Sequence, residues 1–321
     1  MSRQFSNFNW VATSLTLLVA VSFSGVVRST FGEEGVPTPS TPKSEPKSDA
    51  PIYSLKYKFQ PGETVRHEVC HRATSETTVS GVTQTAQTVT NSTKVWKVTE
   101  VSPKGEITFV HSVDSLRMKT RITGHTEVSW DSASNEKPPA GYEDAAKAIG
   151  VPLVIVTIDS KGSTLKREEK LEQKNGESKT NQIVIPLPSE SVAVGAEWNA
   201  PFDLDLVGEG NVPKRTKMRQ HFELKSVKDN IAEITVDTQL LTPTENPRLR
   251  AQLAQKLSRG TIRFDIKAGR AISQAINWDE RVIGFAGAES SMKFVALFEE
   301  KIATGAERTA RTPAPVVNTT E

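Results

Sequence analysis

The residues with the clearest chemical potential stand together near the start of the chain. His67, Glu68 and His71 lie in the segment His-Glu-Val-Cys-His, which matches the H-E-x-x-H pattern of zinc hydrolases. On a helix, the two histidines would lie one turn apart and bind one zinc ion, and Glu68 would activate a metal-bound water. This pattern defines one hypothesis for the protein, a zinc-dependent hydrolase that uses residues 67–71.

The residues around this segment instead predict a β-strand. Val65, His67, Val69, His71 and Ala73 alternate with more polar residues, and the sequence that follows is rich in threonine and valine. On a strand, residues four apart are separated by about 13 Å, so both histidines cannot reach one zinc ion at about 2 Å. We therefore predict that residues 64–71 form a strand and share no zinc ion, and we assign no catalytic, cofactor-binding or metal-binding residue and no cofactor.

The other candidate residues have structural interpretations. Cys70 is the only cysteine, so no disulfide can form within the chain, and a free cysteine usually packs as a small apolar residue. His111 follows a predicted strand, His125 lies in a glycine turn, and Asp159 precedes a turn that it would cap.

The charge balance argues against one class of function, and the N-terminus indicates an exported protein. The chain has 40 Lys and Arg against 38 Asp and Glu, a net charge of +2, which argues against a dedicated nucleic-acid binder. Residues 1–32 resemble a secretory signal, with Arg3 before an apolar stretch and small residues at plausible cleavage sites. We expect the mature protein in the periplasm, on the cell surface or secreted, with no stable membrane span; an uncleaved membrane anchor is the alternative.

Composition also sets the limits of the folded part. Residues 33–50 and 304–321 are rich in proline, polar and charged residues, which predicts a disordered linker and a disordered tail. The part between them divides into a first β-rich half, 51–175, and a second, 176–303. Period-two alternation predicts most of the strands, and two short helices are predicted at 142–149 and 247–257. The predicted strands are 52–59, 95–100, 105–113, 153–158, 182–187, 220–227, 231–238, 261–266, 270–277 and 291–298.

The two halves repeat the same order of elements. Gly62 matches Gly195 and Trp96 matches Phe222, and each half continues with a turn, a strand, a helix and a glycine hairpin. This alignment places Ala200 and Leu204 where the first half has His67 and His71, so both histidines should lie on the apolar side of the strand. The sequence thus predicts a mainly β, α+β fold made of two similar curved antiparallel sheets, each with a short helix, from internal duplication.

Several phrases in the chain support a family resemblance. The segments YKFQPGETVRHEV, SPKGEITF, IDSKGSTLK and VAVGAEW resemble a family of uncharacterised exported bacterial β-proteins. The expected shape, a curved antiparallel sheet with helices at its mouth, is similar in architecture to periplasmic lipoprotein-carrier proteins. The resemblance implies the fold and export, and implies no catalytic residue.

Two function hypotheses follow from the sequence. The first is a non-enzymatic binding or structural protein that could hold a hydrophobic ligand or a peptide on a concave sheet, or bind a protein partner. The alternative is the zinc-dependent hydrolase that uses residues 67–71. A deep apolar cavity would favour the carrier version of the first hypothesis, whereas a filled core would favour a structural or protein-binding role.

Overall fold

A computed structural model describes residues 23–24, 51–134, 136–171 and 181–303 of the chain. Alternation of apolar and polar residues dominates this part, and it folds almost entirely into antiparallel strands. The strands are β1 Phe23–Ser24, β2 Ile52–Tyr53, β3 Thr64–Val79, β4 Val82–Val101, β5 Ile107–Ile122, β6 Val128–Asp131, β7 Pro152–Ile158, β8 Thr164–Glu169, β9 Asn181–Gln182, β10 Val192–Ala193, β11 Glu197–Val207, β12 Pro213–Lys228, β13 Ile231–Leu240, β14 Arg259–Asp265, β15 Arg270–Ile283 and β16 Ser291–Ile302. The helices are α1 Glu143–Lys147, α2 Pro247–Leu253 and a 3-10 turn at Glu209–Asn211.

Twelve of the strands form one large sheet. Its order is β11-β12-β13-β14-β15-β16-β3-β4-β5-β7-β8, and β6 pairs with β5 beside β7. Two further pairs, β1 with β9 and β10 with β2, form small separate sheets. The predicted mainly β fold with two short helices is confirmed. The two halves, predicted as two similar sheets, lie side by side in one continuous sheet because β16 pairs with β3.

Backbone register shows that the two halves have equivalent strands. Val65 lies opposite Trp96 where β3 pairs with β4, and Trp198 lies opposite Phe222 where β11 pairs with β12. The Gly62 N–H donates to the Val98 carbonyl at 2.9 Å, and the Gly195 N–H donates to the Leu224 carbonyl at 2.8 Å. Both glycines have positive φ, at 81° and 89°, the conformation that favours glycine at a turn. The structure therefore makes β3 and β4 equivalent to β11 and β12, as the alignment of Gly62 with Gly195 predicts.

The same equivalence extends through the rest of each half. Phe109 of β5 lies opposite Val156 of β7, and Ile234 of β13 lies opposite Ile262 of β14. A bulge then interrupts the pairing of β7 with β8 between Thr157 and Ile158, and another interrupts β14 with β15 between Arg263 and Phe264, which are the equivalent places. A bulge at the same place in both hairpins is a feature that apolar alternation alone would not produce.

Strand β16 is the exception to the equivalence. It follows β15 and pairs antiparallel with β15 from Ser291 to Lys301 and with β3 from Ser291 to Ile302. The first half has no described strand between β8 and β11 that corresponds to it. Because β16 pairs with β3, it joins the second half of the chain to the first along one seam, which we call the β16–β3 seam.

Two irregular segments fill the apolar face of the sheet. Residues 52–59 are predicted as a strand, but only Ile52–Tyr53 is one. The Tyr57 N–H instead donates to the Ser160 carbonyl and the Lys58 N–H donates to the Gly269 carbonyl, at 2.8 and 2.9 Å. The segment runs beneath the two equivalent hairpin turns rather than along a neighbouring strand, while its predicted apolar side stays buried in the core as Leu55, Tyr57 and Phe59.

The second filling segment is Ile183–Leu187, which we call the strap. The predicted strand at 182–187 is wrong beyond Asn181–Gln182, because the strap bonds to loops and side chains instead of a strand. The Leu187 N–H donates to the Lys161 carbonyl at 2.8 Å, and the strap carbonyl of Ile185 would lie 2.6 Å from a Cβ at Gly162. Val184, Ile185 and Leu187 are buried in the core. The strap therefore closes the apolar face over the first half's hairpin turn.

The two helices cover the remaining part of that face. The predicted helix 142–149 is shorter in the structure, at Glu143–Lys147, and packs with Trp130 and Met118. The predicted helix 247–257 is Pro247–Leu253 and begins at Asn246, whose side chain accepts from two helix N–H groups. Leu249 and Leu253, members of its predicted apolar stripe, pack against β11 and β12. The apolar face is thus filled by the chain itself.

The ends of the chain are mostly outside the described residues. The predicted linker 33–50, the predicted tail 304–321 and all but two residues of the predicted signal 1–32 fall there, and the boundary between halves at 175 and 176 remains a prediction. Within the described ranges, no helix has the length and apolar character needed to cross a membrane.

Candidate functional site

Strand β3 separates the residues of the predicted metal-binding segment. Residues 64–71 are a strand, as predicted, so His67 and His71 point into the core while Glu68 and Cys70 point to the opposite face. Each histidine is only 4% exposed. The Glu68 carboxylate lies 3.1 Å from Lys301 Nζ, outside the core. The Glu68 carboxylate would therefore lie on the other side of the sheet from a zinc ion held by either histidine. In the described ranges, no group of three or more His, Cys, Asp or Glu side chains is placed to hold a metal ion.

His67 belongs to a buried polar cluster that the sequence analysis missed. Its centre is Glu300, a carboxylate of β16 with 7% of its side chain exposed. Lys94 of β4 forms an ion pair with Glu300 Oε1, and Gln274 Nε2 of β15 donates to Oε2 at 2.7 Å. His67 Nδ1 lies 3.2 Å from Oε1 but is not aligned for a hydrogen bond. The cluster of His67, Lys94, Gln274 and Glu300 therefore connects four neighbouring strands at the β16–β3 seam.

The surroundings of the cluster fix its charges. Burial alone would raise the pKa of Glu300, but the adjacent Lys94 charge, with a smaller contribution from His67 and the hydrogen bonds of Lys94 and Gln274, holds that pKa below its usual value. Burial lowers the pKa of His67 to about 4, against the attraction of Glu300. At neutral pH the cluster is thus one ion pair, Lys94 with Glu300, beside a neutral histidine.

Aromatic rings and further histidines enclose the cluster. The Trp96 ring lies 4.7 Å below Lys94 Nζ and meets the edge of the His67 ring at a centroid distance of 4.8 Å. His111 lies beside Trp96 in the next strand, and burial lowers its pKa to about 3. His71 packs edge-on against Trp278 at 6.3 Å, and burial lowers its pKa to about 4. His67 and His71 thus lie on the apolar side of the strand, as the alignment with Ala200 and Leu204 predicts, and His111 is buried as well.

A small cavity adjoins the cluster beneath the strap. Its volume is about 30 Å³, enough for one or two water molecules and for no larger ligand. His67, Lys94, Gln274 and Glu300 line it together with Tyr57, whose hydroxyl donates to the Ile185 carbonyl of the strap at 3.0 Å. Because the charged groups already bind one another and the cavity is this small, the cluster is suited to holding strands together rather than to turning over a substrate.

The opposite face of the same strands carries a much larger cleft. Its volume is about 810 Å³, and its floor crosses six neighbouring strands, β14, β15, β16, β3, β4 and β5. Glu68, Cys70 and Arg72 line it from β3 and alternate along the strand with the buried His67 and His71, while Val69 between the histidines is half-buried and borders the cleft. Hydroxyl and amide side chains on this face fill much of the remaining lining: Asn91, Thr93, Ser115, Thr261 and Ser273.

Ion pairs between strands organise this cleft. Arg72 Nη1 lies 3.2 Å from Glu299 Oε2, and Lys301 Nζ lies 3.1 Å from Glu68 Oε2, both pairs spanning the β16–β3 seam. At the far wall, Arg117 Nη2 lies 2.7 Å from Asp131 Oδ2. These pairs are solvent-exposed and weak individually, so their charges remain available to a polar ligand.

The remaining sequence candidates lie elsewhere. Asp159 caps its hairpin turn as predicted, because Oδ1 accepts from the N–H groups of Lys161 and Ser163, each at 2.8 Å. His125 is exposed in the turn after β5. Cys70 is half-buried in β3 at the cleft. None of the three touches the buried cluster through a described contact.

The alternation of apolar residues contains a sequence feature that could have identified Glu300 and Lys94. Glu300 continues the alternation of Phe294, Ala296 and Phe298, all of which face the core. Lys94 likewise precedes Trp96 and Val98 on the core side of β4. A charged residue at an apolar position of two different strands predicts a buried pair, because an unpaired buried charge is too costly.

Comparisons with known proteins give limited similarity. No family model matches the chain, and no curated protein matches it. Among solved structures, the chain is similar to a lipovitellin described for its lipid–protein interactions, with 13% identity and a TM-score of 0.43 over 78% of this chain and 27% of that one. The chain thus spans about a quarter of the length of the lipovitellin chain.

Two further solved structures resemble it over most of their length. One is DynF from the dynemicin biosynthesis pathway of Micromonospora chersina, with 8% identity and a TM-score of 0.21 over 88% of this chain and 95% of that one. The other is a DUF1329 family protein from Desulfovibrio piger, with 10% identity and a TM-score of 0.18 over 76% and 88%. At these TM-scores, none of the three likenesses supports a functional argument.

Proposed function

We propose that this is an exported, non-enzymatic binding protein that holds a polar peptide in the cleft behind the β16–β3 seam. The observation that carries the proposal is the cleft itself, whose volume of about 810 Å³ lies within the usual range of ligand sites, about 300–1,000 Å³. Its lining combines charged pairs with hydroxyl and amide groups, which can hydrogen-bond the main chain and polar side chains of a peptide.

The filled apolar face favours a polar ligand over a hydrophobic one. Leu55, Tyr57 and Phe59 occupy that face from one segment, and the strap and both helices cover more of it. The cavity beneath the strap is about 30 Å³. A lipid or an apolar peptide would therefore need to displace parts of the core, whereas a polar peptide can enter the cleft without such a change.

The strand conformation of residues 64–71 favours a binding role over zinc hydrolysis. His67 and His71 lie about 13 Å apart along β3, and Glu68 lies on the other face. Export is carried by the predicted signal in residues 1–32 and remains part of the proposal.

The test is a binding screen of an array of mixed-sequence twelve-residue peptides with the purified full chain. We expect polar, charged peptides to bind, and Arg72→Ala together with Glu299→Ala to weaken the binding of the best peptide about tenfold or more. Lys147→Ala removes an exposed ion pair with Asp144 outside the lining of the cleft and is the matched control, expected to leave peptide binding unchanged. Binding that is unaffected by the cleft variants would contradict the proposal.

A second measurement separates the alternatives. Vesicles of dioleoylphosphatidylglycerol test the hydrophobic ligand, and stable binding to them without peptide binding would replace the proposal with a lipid carrier. Stoichiometric zinc in the purified protein that disappears in His67→Leu would instead favour the hydrolase.

A further inference from the structure

The floor of the cleft consists of two rows of residues that cross the strands. In the first row, each residue lies directly opposite the next one on the neighbouring strand. Its members, from β14 to β5, are Arg263, Ser273, Lys301, Glu68, Thr93 and Ser115, and all six line the cleft. The second row runs beside it, from Thr261 of β14 to Arg117 of β5. The cleft therefore runs across the strands of the sheet, and a ligand that follows it crosses them too.

This direction sets the length of the ligand. The rows span six strands, so their ends are five strand spacings of about 4.8 Å apart, or about 24 Å. An extended peptide advances about 3.3 Å per residue. A peptide of about seven residues therefore fills the cleft from β14 to β5.

Most polar groups in the two rows already have partners. In the first row, Lys301 Nζ lies 3.1 Å from Glu68 Oε2, and Ser115 Oγ donates to Thr93 Oγ1 at 2.9 Å. In the second row, the two ion pairs described above each join one cation with one carboxylate. The charges of these pairs cancel, so they do not favour a ligand of either sign.

The exception lies at the β14 end of the first row. Arg263 is exposed there, and no hydrogen bond or ion pair joins its guanidinium to another residue of the described ranges. Ser273 lies opposite Arg263, and its hydroxyl likewise has no described partner. Glu233 lies opposite Arg263 on the other side, but it forms no ion pair with Arg263 and does not line the cleft.

The chemistry of this pair selects an anionic group. Arginine only donates hydrogen bonds, and a serine hydroxyl can donate one as well. Side chains directly opposite each other on antiparallel strands have Cβ atoms about 5 Å apart, so one carboxylate can contact both Arg263 and Ser273. A guanidinium can donate two parallel hydrogen bonds to the two oxygens of a carboxylate.

We propose that the cleft binds an acidic peptide of about seven residues, which lies across the strands and places a carboxylate at one of its ends on Arg263 and Ser273. The inference rests on the proposed peptide-binding function and adds the charge, length and orientation of the ligand. The carboxylate is a glutamate or aspartate side chain, or the C-terminus of the peptide, since Arg263 recognises the same group in each.

The probes are fluorescein-labelled, mixed-sequence heptapeptides built from serine, threonine, asparagine, glutamine and glycine. In the acidic set, one residue of each peptide is glutamate, placed at each of the seven positions in turn, whereas the neutral set has glutamine there. Both sets have an amidated C-terminus, and a third set is the neutral one with a free C-terminal carboxylate. Binding to the full chain is measured by fluorescence anisotropy.

We expect a carboxylate at an end of the peptide to strengthen binding at least about fivefold over the neutral set, and a glutamate in the middle to strengthen it less. A gain confined to the acidic set assigns the carboxylate to a side chain, and a gain confined to the third set assigns it to the C-terminus.

Variants of Arg263 test the role of the guanidinium. Arg263→Gln should remove the advantage of the carboxylate and leave binding of the neutral set unchanged. Arg263→Lys should keep part of the advantage, because lysine retains the charge without the paired donors. Arg281→Gln is the matched control and should change nothing. Arg281 is exposed, does not line the cleft, and lies about 27 Å further along β15 than Ser273.

Two results would overturn the inference alone. They are equal binding of the three sets, and an advantage of the carboxylate that survives Arg263→Gln. In both cases the peptide cleft stands if Arg72→Ala together with Glu299→Ala still weakens binding. Absence of binding by all three sets and by the twelve-residue array would overturn the proposed function, and this inference with it.

Discussion

The two halves of the sheet use the same backbone but different interiors. Where β3 and β4 place His67 opposite Lys94, β11 and β12 place Ala200 opposite Gln220. In the next strand, His111 of β5 corresponds to Val236 of β13. At this level the first half carries a charged lysine and two histidines, whereas the second half carries only uncharged side chains.

The neighbour of each strand explains this difference. Strand β3 pairs with β16, which brings Glu300 into the core, whereas the equivalent edge of β11 meets no described strand. A buried carboxylate needs a cation, and Lys94 is the residue across β3 that supplies it. The comparison teaches that duplicated strands diverge where their neighbours differ, and the following changes test that statement.

The largest loss of stability should come from replacing Lys94 by glutamine, the residue that occupies the equivalent position, Gln220, in the second half. Lys94→Gln leaves Glu300 charged and buried without its cation, so we expect a loss of about 3–5 kcal/mol in the free energy of unfolding, measured in urea. Adding Glu300→Gln to the same protein should restore most of the loss. The reverse control is Gln220→Leu in the second half, where no charge is present and little change is expected. A loss below about 1 kcal/mol for Lys94→Gln would mean that β16 does not impose the charge.

Acid should weaken the first half more than the second. His67 and His71 have pKa values lowered to about 4 by burial, against 6.5 in an unfolded chain, so the unfolded state binds more protons between these values. Stability is therefore fully present above pH 6.5 and falls as the pH drops towards 4, by about 1.4 kcal/mol per pH unit for each full proton. Glu300, whose pKa is lowered, adds its loss only as the pH falls further.

The double variant His67→Leu and His71→Leu, which gives the first half apolar residues as in Ala200 and Leu204, should fold and lose the part of this slope that these two histidines cause. Buried His111, whose pKa is also lowered, keeps the rest. Exposed His125→Leu is the matched control and should keep it. The measurement is urea unfolding at pH values from about 7 to 4, and a slope in the double variant as steep as that of the unmodified protein would place its origin outside β3.

The sequence predicted the features that depend on neighbouring residues and missed those that depend on contacts between distant strands. Alternation predicted β3, β4 and β13, and the match of Gly62 with Gly195 predicted their equivalence, because turn conformation and apolar period are local properties. The joining of the two halves through β16 was not predicted, since strand order in a sheet depends on contacts between distant residues. The cluster around Glu300 was missed for that reason: its four members lie on four different strands, and Lys94 and Glu300 are about 200 residues apart in the chain. The strap was predicted as a strand because its apolar residues fit both structures.

The smallest effect should come from the turn glycines, which are alike in the two halves. Gly62→Ala and Gly195→Ala each force a side chain into positive φ, at 81° and 89°, while an added Cβ at either meets no atom within 4 Å. We expect both variants to lose about 1–2 kcal/mol in urea unfolding, and to lose the same amount. Losses that differ by more than about 1 kcal/mol would contradict the equivalence of these two turns.

The β16–β3 seam also has a consequence for the order of folding events. Arg72 and Glu299, which meet across it, are 227 residues apart in the chain. Closing so long a loop is slow, and topologies dominated by distant contacts fold slowly. During synthesis, β3 and β4 can pair as soon as they emerge, but one edge of β3 must wait for residues 291–302, which are made much later. A chain that stops before residue 291 would keep that edge exposed, ready to pair with another chain and aggregate.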